Sequence, residues 1–216
     1  MKGIRLREAV EMIPDGASLM IGGFMGVGTP ERIIDELTRQ GRKDLTVIAN
    51  DTARPGVGIG KLIDKRMVSR VVVSHIGTNP ETQRQMIAGE LEVELVPQGT
   101  LAERVRAGGF GLGGVLTATG VGTLVQEGKQ TLEIDGKTFL VERPIRSDLA
   151  LIKAKQSDYK GNLDYSLTAR NFNPLMAMAA DTVIAEAENI VPVGLISPDH
   201  VDTPGAIVDY VIQRAA

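Results

Sequence analysis

Residues 15–41 have the sequence DGASLMIGGFMGVGTPERIIDELTRQG. The short apolar run at residues 19–21, bounded by turn residues, is typical of a strand buried in a parallel sheet. Four of the next seven residues, 22–28, are glycines. A backbone so rich in glycine can adopt positive φ and bring a ligand close to its N–H groups. We call residues 22–28 the glycine loop.

A helix is predicted to follow the glycine loop. Thr29 is a good N-cap, Pro30 suits the first helical position, and an apolar stripe at helical spacing runs to Gly41. The order strand, glycine loop, helix directs backbone N–H groups and a helix dipole at one point, which favours a phosphate or another anion. The same glycines would also suit a tight turn with no ligand. Neither a P-loop Gly-Lys-Ser/Thr nor the spacing Gly-x-Gly-x-x-Gly is present in this stretch.

Composition narrows the class of protein. A chain of 216 residues that is 43% hydrophobic can bury a full core, and we expect one domain over residues 1–216. The absence of cysteine excludes disulfides, thiolate metal sites and a cysteine nucleophile, and we predict no metal site. A net charge of −3 argues against nucleic-acid binding. Because no long apolar segment or signal sequence is evident, we expect no membrane association and a cytoplasmic location.

Hydrophobic periodicity predicts strands that alternate with helices. The predicted strands cover residues 19–21, 45–49, 71–73, 91–96, 149–154 and 182–186, and the predicted helices cover 5–13, 30–40, 61–65, 80–86, 100–106 and 174–180. This alternation indicates an open three-layer α/β/α fold with a largely parallel sheet. Asp135-Gly136 between alternating strands predicts a β-hairpin insertion over 131–141. Residues 162–167 are expected to pair with a core strand, and the mixed tail at 201–212 gives no prediction.

Four predicted strand ends carry polar or glycine-rich sequence: the glycine loop, residues 50–52, Ser74-His75 and Gln98-Gly99. In parallel α/β sheets, ligands bind beyond the carboxyl ends of the strands, so we expect these segments to converge on one site.

Two other patterns are weaker. Gly109, Gly111 and Gly114 satisfy Gly-x-Gly-x-x-Gly, but a predicted helix precedes them where a dinucleotide site needs a strand, so we expect a mobile or closely packed loop at residues 108–123. Ser74 and His75 suggest a hydrolase pair, but neighbours on a strand point to opposite faces and no Gly-x-Ser-x-Gly elbow exists. His75 is interpreted as a polar strand-end residue.

The longer pattern is more specific. The chain has, in order, Asp15-Gly16, two free positions, three apolar residues, Gly22-Gly23-Phe24, three free positions, Gly28, one free position and Pro30. This pattern resembles the signature of family I coenzyme A transferases, alpha subunit. Further similar text begins at Asn50 (NDTA), Ser74 (SHIGTNPET), Glu90 (ELEVELVPQGTLAERVRAGG), Thr119 (TGVGTLVQEGK) and Leu167 (LTARNFNP). The sequence of these segments most resembles that of bacterial acetate or butyrate:acetoacetate transferases.

This resemblance implies specific roles. The residues implied to bind coenzyme A (CoA) are Gly22, Gly23, Phe24, Met25, Gly26, Val27 and Gly28. Asn50 and Gln98 are implied to line the acyl end of the site as amide donors, which would stabilise an oxyanion without titrating. The alternative for both amides is that they only cap strand-end loops. CoA and acyl-CoA would be substrates, with no tightly bound cofactor.

The resemblance also implies a partner. Family I enzymes use a glutamate in a Ser-Glu-Asn-Gly motif of the beta subunit, and the nearest text here is residues 187–190, Ala-Glu-Asn-Ile. We interpret Glu188 as a surface residue, so no catalytic residue is expected in this chain. An α2β2 heterotetramer acting on short-chain acyl-CoA and acetoacetate is implied. The alternatives are an acyl-CoA hydrolase or sugar-phosphate isomerase that acts alone, and a non-enzymatic CoA sensor.

Overall fold

A computed structural model describes residues 2–212. In the first half of the chain, strands and helices alternate. These elements are β1 (Gly3–Ile4), α1 (Leu6–Glu11), β2 (Ser18–Ile21), α2 (Glu31–Gln40), β3 (Leu45–Ile48), α3 (Gly60–Asp64), β4 (Val68–Val73), α4 (Pro80–Ile87), β5 (Glu92–Leu95) and α5 (Gln98–Phe110).

The second half of the chain is richer in strands. Its elements are β6 (Val115–Thr117), β7 (Thr131–Ile134), β8 (Lys137–Glu142), β9 (Ser147–Asp158), β10 (Leu163–Asp164), α6 (Asn173–Met178), β11 (Ala180–Val191) and β12 (Tyr210–Ile212). Single turns of 3-10 helix occur at Leu124–Gln126, Leu167–Arg170, Pro198–His200 and Gly205–Ile207.

The main sheet has the strand order β1-β12-β11-β9-β2-β3-β4-β5. Neighbouring strands in this order are parallel, and β10 adds an antiparallel pairing with β9. The largely parallel sheet predicted from the sequence is therefore confirmed. Because β2 lies between β9 and β3, the glycine loop that follows β2 emerges near the middle of the sheet's carboxyl edge.

Helices cover both faces of the sheet. Leu19 and Ile21 point into an apolar cluster shared with α1, α2 and α3, whereas Met20 points into a second cluster shared with α5 and α6. Alternate residues of a strand face opposite sides of its sheet, so β2 contributes to both clusters. This arrangement confirms the three-layer α/β/α architecture.

Residues 115–142 form a separate three-stranded antiparallel sheet, β6-β8-β7, which we call the flap. Its β7–β8 hairpin turns at Asp135 and Gly136, with φ of 51° and 71°, so the predicted hairpin insertion is confirmed. Arg104 of α5 ties the flap to the main sheet. Its Nη1 lies 2.8 Å from a Glu94 carboxylate oxygen, and its Nε donates to the Arg143 carbonyl at 2.9 Å.

The predicted boundaries of α5 were wrong. The helix begins at Gln98 and continues to Phe110, so Gly108 and Gly109 are helical where a loop was predicted. These glycines permit close packing, since a Cβ on Gly108 would lie 2.0 Å from the Ile145 carbonyl oxygen. Packing therefore outweighs their weak helix propensity, and the helix ends with Gly111 in the left-handed conformation.

The long strands at the other side of the sheet were underpredicted. Ala180, which was predicted to be helical, begins β11, and residues 180–191 pair with β9 along its length. The tail contains β12, which joins β1 to β11 through parallel pairing. No helix within residues 2–212 is long and apolar enough to cross a membrane.

Candidate functional site

Three side chains meet at the carboxyl edge of the sheet and form what we call the amide network: Asn50 after β3, Ser74 after β4, and Gln98 at the start of α5. Gln98 Nε2 donates to Asn50 Oδ1, and the Ser74 hydroxyl lies within donating distance of both Gln98 Oε1 and the Asn50 carbonyl oxygen. Asn50 Nδ2 in turn donates to the Gly23 carbonyl at 2.7 Å. The predicted convergence of strand ends is thus present in the structure.

The amide network leaves donors available. A primary amide carries two N–H bonds, and Asn50 and Gln98 each use one of them within the described residues. Asn50 is 1% exposed, whereas Gln98 is exposed to solvent. A neutral donor fixed in orientation by its neighbours can stabilise a developing oxyanion with little reorganisation. Sequence reasoning did not assign Ser74 this orienting position.

The alternative role predicted for Gln98 is to cap a strand-end loop, and its hydrogen-bond partners can be compared with that role. Gln98 lies in the first turn of α5, which has no side-chain cap, and its side chain bonds Asn50 and Ser74 in place of a backbone loop. Asn50 differs, because it bonds the backbone of the glycine loop. The structure therefore gives Asn50 a loop-holding contact and leaves Gln98 with side-chain partners.

The glycine loop is a miniature hairpin. Phe24 and Val27 exchange two backbone hydrogen bonds of 2.9 Å, and the residues between them, Met25 and Gly26, have φ of 52° and 90°. Two successive positive φ angles are typical of the tight I′ turn. The hairpin displays the Phe24 and Val27 side chains, which are 50% and 51% exposed.

Most N–H groups of this loop already have acceptors, so the predicted row of bare N–H groups was wrong. Gly23 N donates to Asn171 Oδ1 and Met25 N donates to Asp51 Oδ2, each at 3.0 Å. Among the described residues, the N–H groups of Gly26 and Gly28 have no acceptor. Within the described part of the glycine loop, only these two N–H groups are left to bind an anion.

The start of α2 also differs from the prediction. Pro30 is the N-cap where Thr29 was expected, and no side-chain cap is present. Instead, Ile33 N donates at 3.0 Å to a carboxylate oxygen of Glu186, which is 2% exposed. An internal carboxylate therefore occupies part of the positive end of the helix dipole.

A cavity of about 170 Å³ lies beside the glycine loop, and its lining includes Gly26, Gly28, Lys153, Lys155, Tyr165 and Glu188. Lys153 Nζ lies 3.5 Å from Glu186 and 3.7 Å from Glu188. Burial raises the pKa of Glu186, and the Ile33 N–H and Lys153 partly oppose that rise. The Glu188 side chain is 57% exposed, which confirms the prediction of a surface residue.

The weaker sequence candidates do not form sites. The imidazole of His75 is exposed and makes no hydrogen bond within residues 2–212, and Ser74 Oγ has other partners, so Ser74 and His75 are not a catalytic pair. His200 is also exposed. Gly109 lies inside α5, which excludes the dinucleotide pattern. Within residues 2–212, no cluster of acidic or histidine side chains could hold a metal ion.

The fold and the edge site define an α/β protein with a candidate ligand site at the carboxyl ends of its strands, and comparison with known proteins identifies its family. The coenzyme A transferase family matches residues 4–214. The chain is 57% identical over 211 residues to the acetate CoA-transferase subunit alpha of Escherichia coli K12, which covers 98% of this chain and 96% of that protein. It is 49% identical over 215 residues to the acetoacetyl-CoA:acetate/butyrate CoA transferase alpha subunit of Clostridium acetobutylicum, which covers 100% and 99%.

Solved structures agree on the fold. An acyl-CoA transferase of Escherichia coli O157:H7, determined as a thioester complex with CoA, superposes with a TM-score of 0.87 at 23% identity and covers 98% of this chain and 47% of that one. Glutaconate CoA-transferase of Acidaminococcus fermentans gives 0.82 at 21% identity, covering 98% and 75%. The chain belongs to the coenzyme A transferase family.

Proposed function

We propose that this chain is the alpha subunit of a cytoplasmic CoA-transferase. It would move CoA between a short-chain acyl-CoA, such as acetyl- or butyryl-CoA, and acetoacetate or a related 3-oxoacid. The observation that carries this proposal is the match to two named alpha subunits along nearly the whole of all three chains. The amide network supplies a chemical role for the chain, because thioester exchange needs donors for the oxyanion on the attacked carbonyl.

The acidic residues at the sheet edge support a nucleophile on a partner. Asp51 is 4% exposed, and its carboxylate accepts hydrogen bonds from Met25 N and Ala53 N. Glu31 pairs with Lys61 Nζ at 2.6 Å, and Glu186 is buried. These carboxylates are engaged in holding the fold, which leaves them poorly placed to attack an acyl group.

We infer that a beta subunit provides a glutamate in the Ser-Glu-Asn-Gly motif. The glutamate would attack acyl-CoA to form an acyl-glutamyl anhydride and release CoA thiolate. The thiolate would then attack the glutamyl carbonyl, expel the carboxylate of the acyl group and leave a glutamyl-CoA thioester. The second carboxylic acid would reverse these steps and depart as its CoA ester, so CoA is a substrate and no tightly bound cofactor is needed.

In this scheme, Gln98 and Asn50 would donate to the oxyanion, and residues 22–28 would border CoA. The exposed Phe24 and Val27 side chains support contact with an apolar surface, either of the ligand or of the partner. A site completed across a subunit boundary implies a permanent interface. An α2β2 heterotetramer of single-domain subunits is the simplest symmetric arrangement.

The test is to purify this chain alone, the beta subunit from an adjacent gene alone, and the co-expressed pair. CoA exchange between acetyl-CoA and acetoacetate should require both subunits. The complex is then incubated with acyl-CoA and quenched with borohydride, and the modified residue is mapped by mass spectrometry. We expect a glutamate of the partner.

A Glu188→Gln variant sharpens this experiment, because Glu188 lines the cavity beside the glycine loop. The variant complex should still form the adduct on the partner. An adduct on this chain, its disappearance in Glu188→Gln, or full exchange by this chain alone would place the nucleophile here and revive an enzyme that acts by itself.

A further inference from the structure

The segment around Asn171 and Asn173 carries no role in the chemistry so far, yet both side chains reach the glycine loop. Asn171 Oδ1 accepts from Gly23 N, and its Nδ2 lies 3.0 Å from the Val27 carbonyl oxygen. Asn173 Nδ2 lies 3.0 Å from the Gly28 carbonyl oxygen. The two asparagines thus hold the beginning, the far side of the turn and the end of the loop.

The same side chains connect the loop to the rest of the fold. Asn171 Oδ1 also accepts from Phe172 N at 2.8 Å, and Asn173 Oδ1 accepts from Lys153 N of β9 at 3.0 Å. Asn173 is fully buried, and its side chain fills the space where a Cβ on Gly22 would lie, 1.8 Å from Oδ1. The side chain of Asn173 therefore occupies the space that Gly22 leaves open.

The backbone of Asn171 adopts φ 24° and ψ −123°. A residue other than glycine is rarely found in such a conformation, and it persists only where the surrounding contacts require it. Here the contacts include the hydrogen bonds to Gly23 and Val27, which lie 148 and 144 residues away along the chain, beside local ones from Nδ2 to the Thr168 and Ala169 carbonyls. Residues in strained conformations cluster at ligand sites and active sites.

We propose that Asn171 and Asn173 are positioning residues that hold the glycine loop in the conformation that accepts CoA. This asparagine clamp rests on the proposed function for its link to CoA, and on the hydrogen bonds alone for its effect on the loop. It acts through the loop, so neither asparagine needs to touch the ligand. The asparagine side chain suits the position because one amide can accept from an N–H and donate to a carbonyl at the same time.

The main variant is Asn171→Gly in the assembled transferase. Glycine tolerates the φ and ψ of this position, so the variant removes the clamp while it relieves the backbone. Hydrogen exchange of the loop N–H groups that have acceptors, those of Gly23, Phe24, Met25 and Val27, should become about tenfold faster once the side-chain hydrogen bonds of Asn171 are lost. The KM for acyl-CoA should rise about tenfold on the same basis, with kcat changed less than about threefold. The melting temperature should remain within a few degrees.

Two further variants separate the contributions. Asn171→Asp keeps the acceptor for Gly23 N but replaces the donor to the Val27 carbonyl by an oxygen that repels it and the nearby Thr168 and Ala169 carbonyls, so its effects should be at least as large as those of Asn171→Gly. Asn162→Ala is the matched control, because Asn162 holds another loop through Gly205 N and Asp158 at 2.8 Å each. The control should lower the melting temperature without changing exchange at 22–28 or the KM.

Unchanged exchange at residues 22–28 in Asn171→Gly would overturn the clamp. Faster exchange with an unchanged KM would overturn the link between the loop and CoA, which is a failure of the proposed function and leaves the clamp standing. A fall in melting temperature that accompanies equal losses in kcat and in the number of folded molecules would show that Asn171 has a structural role alone.

Discussion

Replacing Gln98 by alanine tests whether the amide network contributes to the reaction. The variant removes a donor that is exposed at the site and held by Asn50 and Ser74. Loss of one preformed oxyanion donor costs about 2.7–4 kcal/mol of transition-state stabilisation, or roughly a hundredfold to a thousandfold in turnover. Because Asn50 still offers an N–H, we expect a loss of about a hundredfold, at the lower end of that range.

The stability effect should be moderate, about 2 kcal/mol. Gln98→Ala removes two hydrogen bonds within the network, each worth about 1 kcal/mol, and leaves the buried Asn50 Oδ1 without its donor. For a chain of this size, about 1 kcal/mol lowers the melting temperature by about 2–4 °C. Folding should therefore be retained, and turnover can be expressed per folded complex.

Gln85→Ala is a suitable control. Gln85 is 1% exposed, and its Nε2 donates to the Ile63 carbonyl at 2.9 Å on the far side of the sheet from the flap. Its loss should lower the melting temperature by a similar amount while turnover stays within about twofold, since Gln85→Ala also removes two side-chain hydrogen bonds, to the Ile63 carbonyl and to Glu81. Steady-state CoA exchange and thermal unfolding measure both quantities. Equal turnover in the two variants would refute a role for Gln98 in the reaction.

Three further predictions concern stability. Because burial raises the pKa of Glu186, the unfolded chain loses this proton first, and the stability contributed by the protonated carboxyl is lost between the ordinary carboxyl value of 4.5 and the raised pKa. Over that window the melting temperature of Glu186→Gln should rise relative to that of the native chain, as scanning calorimetry would show, and above it the difference should stay constant. Lys129→Met removes the ammonium group 2.6 Å from the buried Glu142 carboxylate. In urea denaturation, the free energy of unfolding should fall by about 2 kcal/mol, and adding Glu142→Gln should restore it. Gly26→Ala should lower the free energy of unfolding by about 1 kcal/mol because of the positive φ, and by a further amount because its Cβ would lie 2.7 Å from Val57 Cγ1. Adding Val57→Ala should recover only the steric part in the same assay.

Local sequence was sufficient for the part of the fold that lies around β2. The apolar strand, the glycine loop and the amphipathic stripe of α2 are all encoded within residues 19–41, so periodicity and turn chemistry identify them without distant contacts. Strand β12 is different, because it is a strand only through its pairing with β1 and β11. Its sequence carries too little periodicity to predict that pairing.

The residues of the candidate site likewise differ in whether local sequence could predict their positions. Asn50 and Gln98 could be placed at the sheet edge because each follows a predicted strand, and parallel strands end on one side. The contacts of Asn171 with the glycine loop span 144 to 148 residues, so no local pattern could reveal them. The sequence LTARNFNP was the one available signal, and it marked the segment without assigning its role.

The hydrogen bonds of the glycine loop also change how its sequence is interpreted. Glycine-rich turns before a helix suggest free N–H groups, but that inference assumes that no side chain from elsewhere reaches them. Here Asp51 and Asn171 accept from two of those groups, and Glu186 accepts from the first turn of α2. A direct test of phosphate binding by Gly26→Asp would consequently be ambiguous, because a side chain at Gly26 would also strike Val57.

The distribution of charge at the sheet edge favours a nucleophile that arrives from outside the chain. An attacking carboxylate must be free to approach the acyl carbonyl opposite the amide donors, whereas Asp51 is fixed by two backbone N–H groups and Glu188 lies near Lys153. What this edge offers instead is neutral amide N–H groups beside the exposed side chains of Phe24 and Val27. An apolar rim around uncharged donors would let a partner bury its carboxylate next to them without pairing it to a cation, which would keep that carboxylate nucleophilic.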